Sequence, residues 1–362
     1  MGFFSTMRGL LPASSRSFHG MWQDIPRRIE SSEVSTHRYI DWKIDDLVVR
    51  RLESIEGLLK GYTTESLNLQ WQMYMQPGES LDDARKRFYG QMPPATGSLR
   101  LLQKANAKLL LEFDELCREN GVKYFLCAGT LLGAKRHGGS IPWDDDADVG
   151  IEQGQLAKLL SCMNSQNRYR ITIVYDLNVF CKQIRFRWAD ETLPCFVDLF
   201  VYEYASLDDV SGMKRYQELR ASVVEEMDAI AQAGERRQKF IYEGDINYET
   251  CERIVDKVRD AAVESGLICG VDDAKAMMWG LENLTTLVGA PPLYPLSWFE
   301  PLGEAEYEGM SLPAPADAEA YLEATYGDWM GMPKSRAGDI VHAKGSAYTP
   351  ESVEAMRQRV ND

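Results

Sequence analysis

The segment RHGGSIPWDDDADVGI, residues 136–151, concentrates negative charge directly before an apolar run. Its carboxylates occupy four of five consecutive positions, namely Asp144, Asp145, Asp146 and Asp148. Side chains two positions apart on a strand point to the same face. The pattern therefore predicts a buried strand with Asp144, Asp146 and Asp148 on one face. Asp145 is expected to point away from them and to hydrogen-bond the preceding turn.

A row of carboxylates against a protein core is costly unless a cation neutralises it. Hard oxygen ligands suit Mg²⁺ or Mn²⁺, so the segment predicts a metal site. A solvated acidic loop is the usual alternative for a charge cluster, but the apolar flanks disfavour it. A calcium loop of the EF-hand type is excluded, because Val149 and Gln155 stand where that loop needs glycine and glutamate.

Composition limits the class of protein. The 362 residues are 44% hydrophobic and 26% charged, as in globular proteins, and the net charge of −15 argues against a nucleic-acid partner. The seven cysteines include no C-x-x-C pair, which predicts reduced, mostly buried thiols. No apolar run approaches the ~20 residues that span a bilayer. These features predict a cytoplasmic protein.

Changes of pattern along the chain predict an α+β fold, in which helices cover a small mixed sheet. Proline and glycine at 91–97 mark a first boundary, and a charged helical pattern begins near residue 206. The expected segments are a helical N-terminal region (1–95), a catalytic core (96–205), a helical insertion (206–290), a C-terminal part of the catalytic domain (291–345) and a tail (346–362).

Two further features accompany the aspartates. Gly129 and Thr130 stand at a strand-to-helix junction, where free backbone amides attract phosphate; a simple turn with a helix cap is the alternative. Asp198 interrupts the apolar run at 195–201. A lone buried aspartate needs a partner, and a metal shared with the other aspartates would supply one.

The stretch GTLLGAKRHGGSIPWDDDADVGI, residues 129–151, resembles the signature of the LicD family. That family includes bacterial phosphocholine transferases and fukutin-type ribitol-phosphate transferases, and belongs to the nucleotidyltransferase superfamily with its polymerase-β-like fold. The V-D-L-F segment at 197–200 and a more degenerate pattern at 307–329 also resemble it. The resemblance covers roughly 98–204 and 294–333.

The resemblance implies a polymerase-β-like nucleotidyltransferase core and assigns roles to residues. It implies that Asp146, Asp148 and Asp198 are the catalytic metal ligands, with Asp144 as a further ligand. It places Gly129 and Thr130 against a substrate phosphate. Asp198 is also the candidate for receiving a proton from the acceptor.

Four more residues are predicted to bind substrate, each with a structural alternative. Arg136 and His137 end a short helix, where cations either contact phosphate or stabilise the helix dipole. Lys182 lies on a strand and either reaches a nucleotide phosphate or extends to the sheet edge. Trp143 either contributes to an aromatic cage for choline or packs in the core.

The resemblance implies a transferase that moves a phospho-alcohol from a CDP-activated donor to a glycan or glycolipid hydroxyl and releases CMP. Phosphocholine is the first expectation, and ribitol phosphate or glycerol phosphate are alternatives. The setting would be cell-surface glycan biosynthesis, such as lipopolysaccharide or teichoic acid modification, with peripheral membrane contact where the acceptor is lipid-linked. Rival hypotheses are a nucleotidyltransferase that releases pyrophosphate from a nucleoside triphosphate, and a non-catalytic nucleotide-binding protein.

Overall fold

The computed structural model describes residues 51, 61, 65–164, 166–207, 213–234, 237–282, 284, 293–331 and 348–361. The chain forms two compact units, Met1–Leu81 and Asp82–Asp362. Residues 65–74 in the first unit are helical. Most of the region 1–64 lies outside the described residues.

The remaining described chain alternates between helices and strands. The helices are α1 (Leu81–Gly90), α2 (Gly97–Asn120), α3 (Ala128–His137), α4 (Gln153–Met163), α5 (Lys214–Gln232), α6 (Tyr248–Glu264), α7 (Ala318–Tyr326) and α8 (Pro350–Asn361). The strands are β1 (Phe125–Leu126), β2 (Asp148–Glu152), β3 (Tyr169–Asp176), β4 (Cys181–Trp188), β5 (Val197–Ala205), β6 (Phe240–Tyr242), β7 (Ala276–Trp279), β8 (Leu293–Pro295), β9 (Gly303–Tyr307) and β10 (Met310–Ala314). The predicted mixed α+β architecture is confirmed.

A single mixed sheet organises the second unit. Its order is β1-β2-β5-β4-β3-β6, and β7 pairs with the far part of β5 and with β8. The pair β2–β5 is parallel, whereas β1–β2, β4–β5 and β3–β4 are antiparallel. Strands β9 and β10 form a separate hairpin. The parallel pair brings the starts of β2 and β5 to the same end of the sheet.

Helix α2 covers one face of this sheet. Its buried leucines and Phe113 form an apolar face, and Gly121 ends the helix in a left-handed conformation with φ of 61°. Phe113 packs edge-on against Phe186 of β4, with ring centroids 5.1 Å apart. The buried Glu112 accepts a hydrogen bond from the Trp188 indole at 2.6 Å. One face of the sheet is therefore buried in the core.

Two of the expected segments differ from their description. The segment 206–290 contains the predicted helices α5 and α6, which build a second apolar cluster, but it also contributes β6 and β7 to the main sheet. The segment 346–362 contains α8, which packs on α2 with Met356 fully buried. Tertiary contacts with the sheet and α2 explain both differences, because short edge strands and a terminal helix have weak local signals.

The structure can be compared with two expectations, one about the cysteines and one about membrane-spanning segments. In the described part of the chain, which contains all seven cysteines, no disulfide bond is present. Four of these thiols are buried: Cys117, Cys127, Cys195 and Cys251. Among the described residues, no helix has both the length and the apolar character that a membrane crossing requires.

Candidate active site

Three carboxylates meet at the end of the sheet where β2 and β5 begin. Asp148 is the first residue of β2, and its Cα lies in register with that of Asp198 on β5. Asp146 precedes β2 by two residues. One carboxylate oxygen of each of these three aspartates lies within 4.8 Å of those of the other two. The structure thus brings together the three residues predicted as metal ligands.

The predicted strand over the whole aspartate run is wrong. Strand β2 begins only at Asp148, so the preceding aspartates lie in a loop and do not alternate between two sheet faces. Asp145 does not point away from its neighbours. It is buried, and carboxylate oxygens of Asp144, Asp145 and Asp146 lie within 4.8 Å of one another. Two adjoining carboxylate groups therefore share Asp146.

Helix α2 holds this loop with two buried amide side chains. Gln103 Nε2 donates to the backbone carbonyl of Asp144 at 2.8 Å. Asn106 Nδ2 donates to the carbonyl of Asp145 at 2.9 Å, and its Oδ1 accepts from the backbone N–H of Phe196 at 3.2 Å. Sequence reasoning missed both residues. Their signal is a pair of amides three residues apart on an otherwise apolar helix face.

The start of α3 holds Asp148. The Gly129 N–H donates to Asp148 Oδ2 at 3.0 Å, and Thr130 Oγ1 accepts from the Asp148 backbone N–H at 2.7 Å. A Cβ atom on residue 129 would lie 2.8 Å from Asp144 Oδ2 and 3.2 Å from Asp148 Oδ2. Glycine is therefore needed here because two carboxylates approach the backbone. The predicted phosphate contact of Gly129 and Thr130 stays a prediction.

A third strand adds a cation that sequence reasoning missed. Arg185 of β4 lies in register with Asp198, and its Nε donates to Asp198 Oδ1 at 2.8 Å. Burial alone would lower the pKa of Arg185, but Asp198 and Asp146 raise it above its ordinary value. The detectable signal was the alternation of basic residues in QIRFRW, which places Arg185 and Arg187 on one face of β4.

Lys182 does not join this group. Its side chain lies on the opposite face of β4, together with those of Ile184 and Phe186. Its Nζ forms an ion pair with Glu252 Oε2 of α6 at 2.8 Å. The predicted contact of Lys182 with a nucleotide phosphate is therefore not supported by its position, since that sheet face packs on the core.

The other predicted substrate contacts pack together at the end of α3. The buried guanidinium of Arg136 lies 4.4 Å from the centre of the Tyr89 ring and donates to the Trp329 carbonyl at 3.2 Å. The His137 ring lies edge-on to Tyr89 and to Trp143, with centroid distances of 5.4 and 6.1 Å. Burial and the charge of Arg136 lower the pKa of His137 to about 4. His137 is therefore neutral near pH 7.

The carboxylates create a negative potential that contributes to raising the pKa of nearby thiols. Burial raises the pKa of Cys127 well above its usual value, and the charges of Asp148, Asp198 and Asp146 add to that shift. Burial, followed by the charge of Asp198, raises the pKa of Cys181 to about 12. Oxygen donors in such a field match the preference of Mg²⁺ or Mn²⁺, so the residues present fit a hard divalent cation.

Residues 121–234, which contain these carboxylates and Arg185, match the family model described as "LicD/FKTN/FKRP, nucleotidyltransferase domain". These residues form a LicD family domain. The match covers under a third of the chain, and it includes the starts of α3, β2 and β5 that build the site.

Curated relatives agree with this assignment. Lipopolysaccharide cholinephosphotransferase LicD of Haemophilus influenzae is 29% identical over 118 residues, which are 29% of this chain and 44% of the relative. Ribitol 5-phosphate transferase FKRP of Homo sapiens is 64% identical over 31 residues, 9% of this chain and 6% of the relative. An uncharacterized protein of Rickettsia prowazekii is 38% identical over 69 residues, 19% and 26% of the two chains. The aligned part of this chain therefore spans less than half the length of each of these relatives.

Proposed function

We propose that this LicD family protein is a metal-dependent transferase that moves a phospho-alcohol from a CDP-activated donor to a glycan hydroxyl and releases CMP. The observation that carries the proposal is the meeting of Asp146, Asp148 and Asp198 within 4.8 Å, inside the stretch that matches the family model. The printed activities of two relatives, cholinephosphotransferase and ribitol 5-phosphate transferase, support a phospho-alcohol as the group transferred. Phosphocholine is the first candidate, because the cholinephosphotransferase shares 118 aligned residues and the ribitol enzyme 31.

The metal would be held by Asp146, Asp148 and Asp198, with Asp144 as a further ligand beside Gly129. When bound there, Mg²⁺ or Mn²⁺ would lower the pKa of the acceptor hydroxyl and neutralise charge on the donor phosphates. The bare backbone at Gly129 leaves room for two carboxylates, and Gln103 and Asn106 keep the loop that carries the other ligands in place.

Asp198 has two roles in this proposal, as a metal ligand and as the group that receives the proton of the attacking hydroxyl. Its ion pair with Arg185, 2.8 Å between Nε and Oδ1, stabilises the ionised carboxylate. Both roles require that ionised form. The acceptor hydroxyl would enter beside Asp198, in line with the departing CMP, since in-line geometry is needed for phosphoryl transfer.

A donor labelled with ³²P only at the β-phosphorus tests this function. CDP-choline, CDP-ribitol and CDP-glycerol are each incubated with Mg²⁺ and with lipopolysaccharide or teichoic acid as the acceptor. We expect the label to pass to the acceptor with an equal amount of unlabelled CMP, and the Asp148→Asn variant to transfer none. Label released as free phospho-alcohol, or pyrophosphate released from CTP and acceptor, would support nucleotidyl transfer instead.

A further inference from the structure

Two arginines lie side by side on the sheet face that carries the carboxylates. Arg185 and Arg187 are two positions apart on β4, so their side chains emerge on the same face. Both guanidinium groups lie over the ring of Phe196, at 4.0 and 4.8 Å from its centre. Because Arg185 bonds Asp198, the pair stands directly beside the metal-ligating carboxylates.

The charges of these arginines are balanced differently. Arg185 is neutralised by Asp198, and Arg170, the cross-strand neighbour of Arg187, forms an ion pair with Glu191 at 2.5 Å. Arg187 donates to Thr172 Oγ1 at 3.3 Å. Within the described part of the chain, no carboxylate lies at ion-pair distance from Arg187. Four of its five N–H donors are thus left for another acceptor.

The environment of Arg187 is unfavourable for a cation. Burial, followed by the neighbouring charge of Arg185, lowers its pKa to about 10, and the charge of Asp198 offsets only part of that shift. The side chain is only partly buried, so a ligand can reach it. A cation that is half-desolvated beside another cation is costly without an anion, and such perturbed groups concentrate at functional sites.

We infer that Arg187, with Arg185 beside it, forms an anion subsite that binds the diphosphate of the donor. Residues two apart on a strand are separated by about 7 Å, so the guanidinium of Arg187 can contact one end of a diphosphate whose other end lies beside the carboxylates. The planar guanidinium fork suits two phosphate oxygens at once. The identity of the ligand as the donor's diphosphate rests on the proposed function.

Calorimetric titration with inorganic pyrophosphate in excess Mg²⁺ tests the subsite without any turnover. In Arg187→Met, which keeps an apolar stem over Phe196, we expect the Kd to rise by about tenfold or more, since a charge-assisted hydrogen bond is lost. The matched control is Arg170→Met on the paired strand, whose charge Glu191 already neutralises. Its Kd should change less than about twofold, as expected for an exposed ion pair. Arg187→Lys should bind with intermediate affinity, because an ammonium cannot form the planar fork.

Thermal unfolding of each variant shows whether it is folded, and Arg187→Gln replaces Arg187→Met if the latter is not. Equal pyrophosphate affinity in wild type and folded Arg187 variants would overturn the subsite. The result also separates this inference from the proposed function. If the Arg187 variants lose pyrophosphate binding but the wild type transfers no phospho-alcohol, the anion subsite is upheld and the transferase is rejected. If the wild type transfers phospho-alcohol but the Arg187 variants bind pyrophosphate as well as it does, the transferase is upheld and the anion subsite is rejected.

Discussion

Asp148 and Asp198 face each other in register on the parallel strands β2 and β5, although β3 and β4 lie between them along the chain. Arg185 of β4 continues the same row across the next strand. A like-charged pair in facing positions is unfavourable by itself. Arg185 balances part of this charge on one side, and a cation on the other side would complete the balance.

The carboxylates should be essential for transfer and dispensable for folding. Changing Asp146, Asp148 or Asp198 to Asn should lower transfer by about 100-fold or more, because a metal ligand is lost. Stability without metal should be unchanged or higher in the Asp146 and Asp148 variants, since like-charge repulsion falls, whereas Asp198→Asn also loses the ion pair with Arg185. The β-label assay and thermal unfolding measure these effects, with exposed Glu191→Gln as control. Near-normal turnover in an Asp146 or Asp148 variant would reject the site.

Gly129→Ala should weaken metal binding more than it weakens folding. The added Cβ would lie 2.8 Å from Asp144 Oδ2 and 3.2 Å from Asp148 Oδ2, so both carboxylates must move. We expect Mn²⁺ affinity, followed by electron paramagnetic resonance, to fall by about tenfold. Gly270→Ala is the control, because a Cβ there meets no atom within 4 Å. Unchanged Mn²⁺ affinity in Gly129→Ala would show that these carboxylates do not hold the metal.

The contributions of Arg185 and Asp198 to the free energy of unfolding should be coupled, because the two side chains form an ion pair. Arg185→Met leaves the Asp198 carboxylate uncompensated, and should lower the free energy of unfolding of the metal-free protein by about 2 kcal/mol. The same change in an Asp198→Asn background should cost clearly less. Urea denaturation of the four proteins gives the coupling energy. Equal costs in both backgrounds would mean that the pair is not stabilising.

His137 should make stability depend on pH in the acidic range. Its pKa falls from 6.5 when unfolded to about 4 when folded, so the unfolded chain binds the proton more tightly between these values. Stability is then fully present above pH 6.5 and is lost as the pH falls toward 4, by about 3 kcal/mol. His137→Phe should lose this dependence. The readout is the difference in unfolding free energy between wild type and variant at each pH, and a constant difference would contradict the assignment.

Local signals in the chain predicted several elements correctly. Gly121 and Gly138 end α2 and α3 in left-handed conformations, as glycine after an amphipathic pattern predicts. The aspartates before an apolar strand, and Asp198 inside another, identified the carboxylates that the structure brings together. Such features are encoded by neighbouring residues, so they are readable without a fold.

Strand pairing decided the rest. The alternation in β4 places Lys182 and Arg185 on opposite faces, but only the position of β5 shows that the face with Arg185 meets the carboxylates. Gln103 and Asn106 look like interruptions of an apolar helix until α2 packs beside the aspartate loop. By itself, the sequence identified the carboxylates that meet at the candidate site. The tertiary structure decided which cations and amides surround them, because those contacts join residues far apart in the chain.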